Sequence, residues 1–526
     1  MKKLSRILCF ILAFALCFSI VACGRGGGSK LEKDDKGVYY LDDDGVKVYK
    51  LVMMDHGTPS TVADKDKKYR QQVLDKINEE LYKDLGYKID VDVKVYADDN
   101  FADKLATALA DRDQLDLVRQ TAKANLDSYV DQGIAKNLDK YLTNANSLKE
   151  NISSKMMQEV TYDGSVYAIP LEKLPLNSVT YVRGDLLKKA GYTDLTSMED
   201  WEGFLQKILE GGSEYLNTNK IPIPLMGLLS TLEQMFLGYY TDTPGTFFDE
   251  QGKMLPVYFN DGYKQFILKM RDWMTKGYID KSIFNFSEFA MTNVSNEITA
   301  AVACGIYHLE FGTLKSINDA HPNWNITPIM PMTKNKYYSD GLMGEYVFVP
   351  FCAKSAGVAV DLINWSLYDE ENYNLLRCGI EGVTYELDEN NAIDIPETEK
   401  TKNITTPTDL IGRFTVGTSL AMNMNYPAKT CPEGARKAYS NSLSVTQDKL
   451  YVDPYVYVSS TLTDLEESKV ATANQNLNIA IQKLIDSSVV SDADFDAEWT
   501  DMLDDYKKSA GSVYEKLTQE YNKLFD

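Results

Sequence analysis

The chain has 526 residues, 44% of them hydrophobic, and its 77 acidic against 55 basic side chains leave a net charge of −22. That length is too great for one compact domain and supports two or three, with a large buried core. So acidic a surface argues against nucleic acid or anionic lipid as a partner, because both require cationic patches; its plain consequence is solubility.

The first residues carry three cations, Lys2, Lys3 and Arg6, ahead of a run from Ile7 to Ala22 that is apolar apart from Ser19. A positive start, an apolar stretch and small residues before a cut site describe a secretory signal. The run falls short of the roughly 20 residues that a transmembrane helix needs. Ile20-Val21-Ala22-Cys23, followed by Gly24, resembles the bacterial lipobox, in which the Cys is acylated and the chain is cut just before it. The resemblance implies a signal peptide at 1–22 and a lipid anchor on Cys23, with two acyl chains sufficing for stable attachment. Residues 23–37 then form a leash, Gly-rich at first and charged from Lys30 to Lys36. The folded part is expected on the outer face of the cytoplasmic membrane, touching it through the lipid only.

Cys304, Cys352, Cys378 and Cys431 remain once the signal and the anchor are set aside. They are too few for a disulfide framework, and no C-x-x-C pair suggests zinc or redox chemistry. Buried free thiols are expected. The only histidines are His56, His308 and His321, and no H-E-x-x-H, G-x-S-x-G or P-loop motif occurs. Neither a metal nor a cofactor is expected. A glycosidase built on two carboxylates leaves no local signature and stays open. The 34 tyrosines offer flat apolar faces with polar tips, which suit sugar recognition.

In chain order, Val46 to Met54 reads as a strand ending at Asp55-His56-Gly57. Tyr69, Val73, Ile77, Leu81 and Leu85 mark a helix stopped by Gly86. Ile89, Val91, Val93 and Val95 alternate with polar residues, as in a half-buried strand. Asn100 is placed as the cap of a helix carrying Phe101, Leu105 and Leu109, and Leu115 to Val118 is a third strand. The order βαβαβ predicts a mainly parallel sheet with ligands beyond the carboxyl ends of its strands, where Asp55, His56, Arg119 and Gln120 fall. Tyr162 to Ser165 is a tight turn, Val179 to Arg183 a strand, and Thr196 to Glu199 a capping box for a helix beginning near Asp200. Val470 to Ile485 and Asp494 to Leu524 read as helices, the second broken near Gly511.

These stretches together resemble a family. Tyr162 to Pro170, Tyr181 to Gly191, Thr196 to Trp201, Tyr258 to Asp280, Gly379 to Tyr385 and the tail from Trp499 to Phe525 are similar to runs of the extracellular solute-binding lipoproteins of carbohydrate ABC importers. The class is maltodextrin-binding-like, in its larger Firmicutes subtype. Thr384 departs from the subtype, which often has His there. The resemblance implies an α/β fold of two lobes hinged around a cleft, with a helical C-terminal region. Its boundaries are expected at 38–170 with 342–390 for the first lobe and 178–331 with 391–526 for the second, hinged at 171–177 and 332–341. It further implies a monomer that binds a mono- or oligosaccharide, performs no chemistry and delivers the sugar to permease subunits.

A sugar site needs aromatic faces for CH groups and carboxylates or amides for hydroxyls. Tyr307 and Glu310 stand where maltodextrin binders place an aromatic-rich cleft strand, and Glu172 follows a strand at the first crossover. Asp55, His56 and Gln120 sit past strand ends in the first lobe. Tyr239, Tyr240, Tyr338 and Asp340 are loop candidates, whereas Trp201, Trp273 and Trp365 belong to the core. Two other readings are an extracellular glycan hydrolase and a surface adhesion module with an exposed apolar patch.

Overall fold

The computed structural model describes residues 30–57, 67–121, 123–172, 174–216, 223–284, 297–306, 313–341, 343–387, 393–396, 398, 401, 407–416 and 433–525. Two sheets organise it. The first has seven strands, in the order Glu32–Lys33, Val38–Leu41, Lys47–His56, Leu117–Gln120, Met343–Phe348, Ala168–Glu172, with Lys88–Tyr96 also paired to Lys47–His56. Lys47–His56 runs parallel to both Lys88–Tyr96 and Leu117–Gln120, as the βαβαβ pattern predicts. The helix Lys67–Leu85 crosses over between two of them, burying Val73, Ile77 and Leu81 at four-residue spacing.

Met343–Phe348 is antiparallel to both of its neighbours, so Ala168–Glu172 points the same way as Leu117–Gln120. One edge of the sheet therefore gathers the ends of three parallel strands, the end of Ala168–Glu172 and the start of Met343–Phe348. The second sheet orders Ile223–Met226, Thr299–Gly305, Ser178–Val182 and Thr327–Ile329, with Ser178–Val182 antiparallel to both of its neighbours.

Each sheet has its own core on each face. Trp201, Phe236 and Trp273 meet edge to face at ring separations of 5.2 Å on one face of the second sheet. All three tryptophans assigned to the core, Trp201, Trp273 and Trp365, are 0% exposed. The tail helices Asp464–Ile485 and Phe495–Phe525 close this core with Leu477, Ile481 and Leu484 against Met502, Tyr506, Val513 and Leu517. Arg271 fastens their junction, donating to the carbonyls of Leu484 (2.7 Å) and Val490 (2.6 Å) and pairing with Asp492 (2.7 Å).

Three local expectations are corrected. The tail helix runs unbroken through Gly511, because Ala510, Val513 and Tyr514 bury its face and outweigh the roughly 1 kcal/mol that a mid-helix Gly costs. Asn100 lies inside the helix Asp98–Asp111, whose N-cap is Ala97 and whose first turn carries Asp98 and Asp99. The capping box is formed by Ser197 and Asp200, one residue later than expected, and opens the helix Met198–Gly211. The tight turn at Asp163-Gly164 forms with positive φ at both residues (49° and 77°), the geometry of a two-residue hairpin.

The chain passes between the two cores more often than twice. It crosses from Glu172 to Ser178 and returns between Ile329 and Met343. Ile395, Leu410, Ile411, Phe414 and Val416, assigned from sequence to the second lobe, pack in the first core with Val73 and Ile77. The helix Glu433–Leu443 then lies on the second sheet, burying Ala435, Ala438 and Tyr439 there. Near these passages Tyr337–Ser339 pairs in parallel with Leu450–Val452, and the buried Ser442 hydroxyl donates to the Leu176 carbonyl (2.7 Å) while accepting from its N–H (2.9 Å). Nothing local in the sequence announces the docking of Pro407–Ile411 on the helix Lys67–Leu85, more than 300 residues upstream.

Thr384, where the resemblance expects His, is fully buried. Its hydroxyl accepts from the Ile380 N–H (2.7 Å) and donates to the Cys378 carbonyl (2.7 Å). The neighbouring Gly379, at φ 89°, leaves room for it, since a Cβ there would lie 2.3 Å from that hydroxyl. The hydroxyl at this position holds the turn together. Cys304 and Cys378 are buried free thiols whose burial pushes their pKa up, to about 12 and about 11, and Cys352 is half-buried and free. Cys431 lies outside the described residues.

Candidate functional site

The edge of the first sheet holds a compact charged network. Asp55, the penultimate residue of its strand, is 2% exposed although ionisable. A buried carboxylate needs partners, and it has two. Arg119 Nε lies 2.8 Å from its Oδ1, and Arg413 Nη1 is ion-paired with its Oδ2. Both guanidiniums also donate to the His56 carbonyl, at 3.4 Å from Arg119 and 3.2 Å from Arg413. Arg119 Nη1 reaches Glu345 Oε2 at 3.3 Å. His56 turns Nδ1 to Asp98 (3.2 Å), has Nε2 3.9 Å from Glu345 Oε1, and packs edge to face on Phe101 with ring centroids 5.7 Å apart. Arg70 supports the arrangement by donating to the carbonyls of Ile411 (3.1 Å) and Arg413 (2.9 Å) and stacking over Phe414.

Register explains the convergence. Met54 pairs with Val118, which brings Asp55 and His56 level with Arg119 and Gln120, and Gln120 pairs with Tyr346. Gln120 is buried and donates to the Tyr129 hydroxyl at 3.1 Å. Glu172 ends its strand opposite Met343 on the same edge. Of the sequence candidates, this edge therefore gathers Asp55, His56, Gln120 and the backbone of Glu172. Asp55 and Gln120 face inward, as positioning groups. The exposed members, Glu345 (32%) and Asp98 (82%), were not singled out from sequence, and neither was Arg413. Position just past a strand end is the signal that finds Asp98. No local pattern finds Glu345, at the start of an antiparallel strand, or Arg413, 358 residues from its partner.

Tyr239, Tyr240, Tyr338 and Asp340 lie apart from this network. Tyr239 and Tyr240 meet edge to face at 5.2 Å and lean on the second core, in a turn tied to the return passage by Lys334 N–H donating to the Gly238 carbonyl (3.1 Å). Tyr338 belongs to the ladder with Leu450–Val452, half-buried, and Asp340 follows it on the surface. Beside them the buried Asp453 accepts N–H bonds from Thr246 (3.0 Å) and Tyr455 (2.9 Å), and burial raises its pKa. Glu233 accepts from the Tyr263 hydroxyl (2.6 Å), and its removal from water pushes its pKa up to about 7.

The facing edge of the second sheet is built by Met226, Ser178 and Gly305, the last two paired with each other. Ser178 donates to Gln234 on the helix Leu229–Phe236, and the Ile306 N–H donates to the Asn177 carbonyl at 2.7 Å. Tyr307 and Glu310 follow at once and lie outside the described residues, as does Cys23. Five residues link Glu172, which ends its strand, to Ser178, which starts its own, and this tether keeps the two strand ends within roughly 20 Å of each other. Among the described residues no group of His, Cys, Asp and Glu is arranged to hold a metal ion, and no helix is long and apolar enough to cross a membrane.

Comparison with known proteins places this geometry. No curated protein sequence matches the chain. Among solved structures, the N-glycan transport solute-binding protein NgtS of Streptococcus pneumoniae is similar over 91% of this chain and 100% of its own, with a TM-score of 0.59 and 16% identity. A human-milk-oligosaccharide (HMO) binding, ABC-transporter-associated solute-binding protein of Bifidobacterium longum infantis covers 90% and 99%, with 0.57 and 17%. The ABC-transporter substrate-binding protein FusA of S. pneumoniae, solved with kestose, covers 90% and 99%, with 0.53 and 18%. At such identities the likeness is one of fold, the two-lobed fold of solute-binding proteins. Residues 72–386 match the model of the bacterial extracellular solute-binding proteins, more than half of the chain, and the chain belongs to that family.

Proposed function

We propose that this protein is the lipid-anchored, substrate-binding component of an ABC importer and that it captures a saccharide between the two sheet edges. The observation that carries this reading is the short crossover from the end of Ala168–Glu172 to the start of Ser178–Val182, beside an edge that carries Glu345, Arg119, His56 and Asp98. Polar groups fixed by internal ion pairs are preorganised to meet hydroxyls without reordering. Tyr307 and Glu310, next along the chain from the facing edge, would supply a ring face and a second acceptor.

In this reading the first lobe comprises 30–172 with 343–416, and the second comprises 178–329 with 433–525. The passages 172–178 and 329–343 belong to the hinge, braced by the ladder of Tyr337–Ser339 with Leu450–Val452 and by Ser442 on Leu176. The chain works as a monomer, leaves its ligand chemically unchanged and hands it to permease subunits. The family supports binding over catalysis.

Titration against a glycan panel tests the reading. Binding in the micromolar range, about −8 kcal/mol, with the glycan recovered intact, is the expected result. Steady release of shorter sugars, abolished by one carboxylate substitution, would make the protein a hydrolase. Anchoring has its own test. Cys23→Ala should abolish labelling by a fatty-acid probe and free the protein from the membrane, and a variant that still labels would refute the anchor.

A further inference from the structure

We infer that the helix Leu229–Phe236 is the second lobe's wall of the cleft, and that Gln234, with Ser230 one turn before it, holds sugar oxygens there by donating hydrogen bonds to them. The inference rests on the saccharide reading above and goes beyond it in naming the second lobe's binding residues and their polarity.

Placement comes first. The helix follows the strand Ile223–Met226, whose last residue pairs with Val302 at the edge facing the first sheet. Leu232, Met235 and Phe236 are 0% exposed and fasten one side of the helix to the second core. Two of the passages between the lobes reach it. Ser178, at the end of the crossover from Glu172, donates to Gln234, and the Met332 N–H of the return passage donates to the Met235 carbonyl at 2.7 Å. A side chain bonded to the end of the crossover stands where the lobes join, and a ligand held between them meets it.

The chemistry of the exposed face follows from its partners. Ser230 and Gln234 are both exposed and four residues apart, so they share one face of the helix, with Cβ atoms about 6 Å apart. A side-chain amide has one accepting oxygen and two N–H donors. Gln234 gives its oxygen to the hydroxyl of Ser178, a buried residue, and that bond fixes which way the amide points. Among the described residues nothing accepts from the Gln234 nitrogen, and nothing pairs with the Ser230 hydroxyl. A solvated glutamine has no buried hydroxyl to hold its amide in one orientation. A fixed pair of uncharged donors one turn from an unpaired hydroxyl suits neighbouring oxygens of a sugar ring, each of which accepts a hydrogen bond, and it spares the cost of ordering the side chain on binding.

The test is calorimetric titration with kestose, maltotriose and mannotriose, extended to a wider glycan panel, beside ligand-free melting curves. For the tightest-binding glycan, Gln234→Ala should weaken binding roughly tenfold, as the loss of hydrogen bonds without a charged partner predicts, and leave the melting temperature unchanged because the side chain is exposed. Gln234→Glu keeps the shape and exchanges donors for acceptors, and should weaken binding at least as much. Gln206→Glu places the same charge at an exposed position of the helix Met198–Gly211 and should leave binding unchanged. Ser178→Ala releases the amide to rotate and should weaken binding less than Gln234→Ala does. Full affinity in Gln234→Ala or Gln234→Glu, or an equal loss in Gln206→Glu and Gln234→Glu, overturns the inference while leaving the saccharide reading standing. Failure of every glycan to bind removes that reading, and the inference falls with it.

Discussion

Replacing Asp116 by alanine is expected to lower the unfolding free energy by about 3–5 kcal/mol, the summed cost of leaving several enclosed N–H donors without their acceptor. Asp116 is 0% exposed and sits just before the strand Leu117–Gln120. Its Oδ1 accepts the N–H groups of Lys354 and Ser355, both at 2.7 Å, and its Oδ2 accepts those of Val52 (2.9 Å) and the Gln114 side chain (2.8 Å). Ser355 in turn accepts the Val38 N–H at 3.2 Å. One carboxylate thus joins two strands of the first sheet to the start of the helix Ala356–Ser366. Alanine leaves the buried Ser355 N–H and the part-buried N–H groups of Lys354 and Val52 without this acceptor, each costing up to about 1–3 kcal/mol before relaxation. Asp116→Asn retains one acceptor and should fall between the two. Urea unfolding of ligand-free protein measures the effect, and a loss below 1 kcal/mol for the alanine variant would show that water replaces the carboxylate.

Asp55→Ala should cost about 2–4 kcal/mol of stability and weaken saccharide binding, in that causal order. From its position past a strand end Asp55 reads as a ligand contact, but the side chain is enclosed and holds Arg119 and Arg413 together. Without it both guanidiniums lose their shared partner. The segment around Arg413 loosens from the sheet, and Arg119 no longer presents Glu345. The cost stays below that of Asp116 because the two arginines are about one-quarter exposed and water can reach them. Unfolding and calorimetry on the same preparation decide the matter. Weakened binding with wild-type stability would make Asp55 a direct ligand contact.

Legibility of the sequence follows the range of the interactions involved. The strand Lys88–Tyr96 is visible because burial on one face imposes alternation, with Ile89 and Val91 inside. The helix Lys67–Leu85 is visible for the same reason at a different period. The parallel order of three strands follows from their spacing along the chain. The unbroken helix at Gly511 escaped local reading because tertiary packing outweighs the propensity of a single residue. The docking of Pro407–Ile411 on the first core escaped it for a similar reason, its apolar residues being complementary to the helix Lys67–Leu85 far upstream. Topology alone places residues that end parallel strands, such as Asp55, His56 and Gln120, on this sheet edge. Glu345 and Arg413 reach the same place through an antiparallel strand and a distant loop, and only the folded chain brings them there.

Small-angle X-ray scattering during titration with the tightest-binding glycan, with the glycan analysed afterwards, tests the central claim most directly. A ligand held between the two lobes should draw them together, so the radius of gyration should fall saturably with the binding isotherm while the glycan is recovered unaltered. An unchanged radius of gyration at saturation would place the ligand outside the cleft and contradict the account.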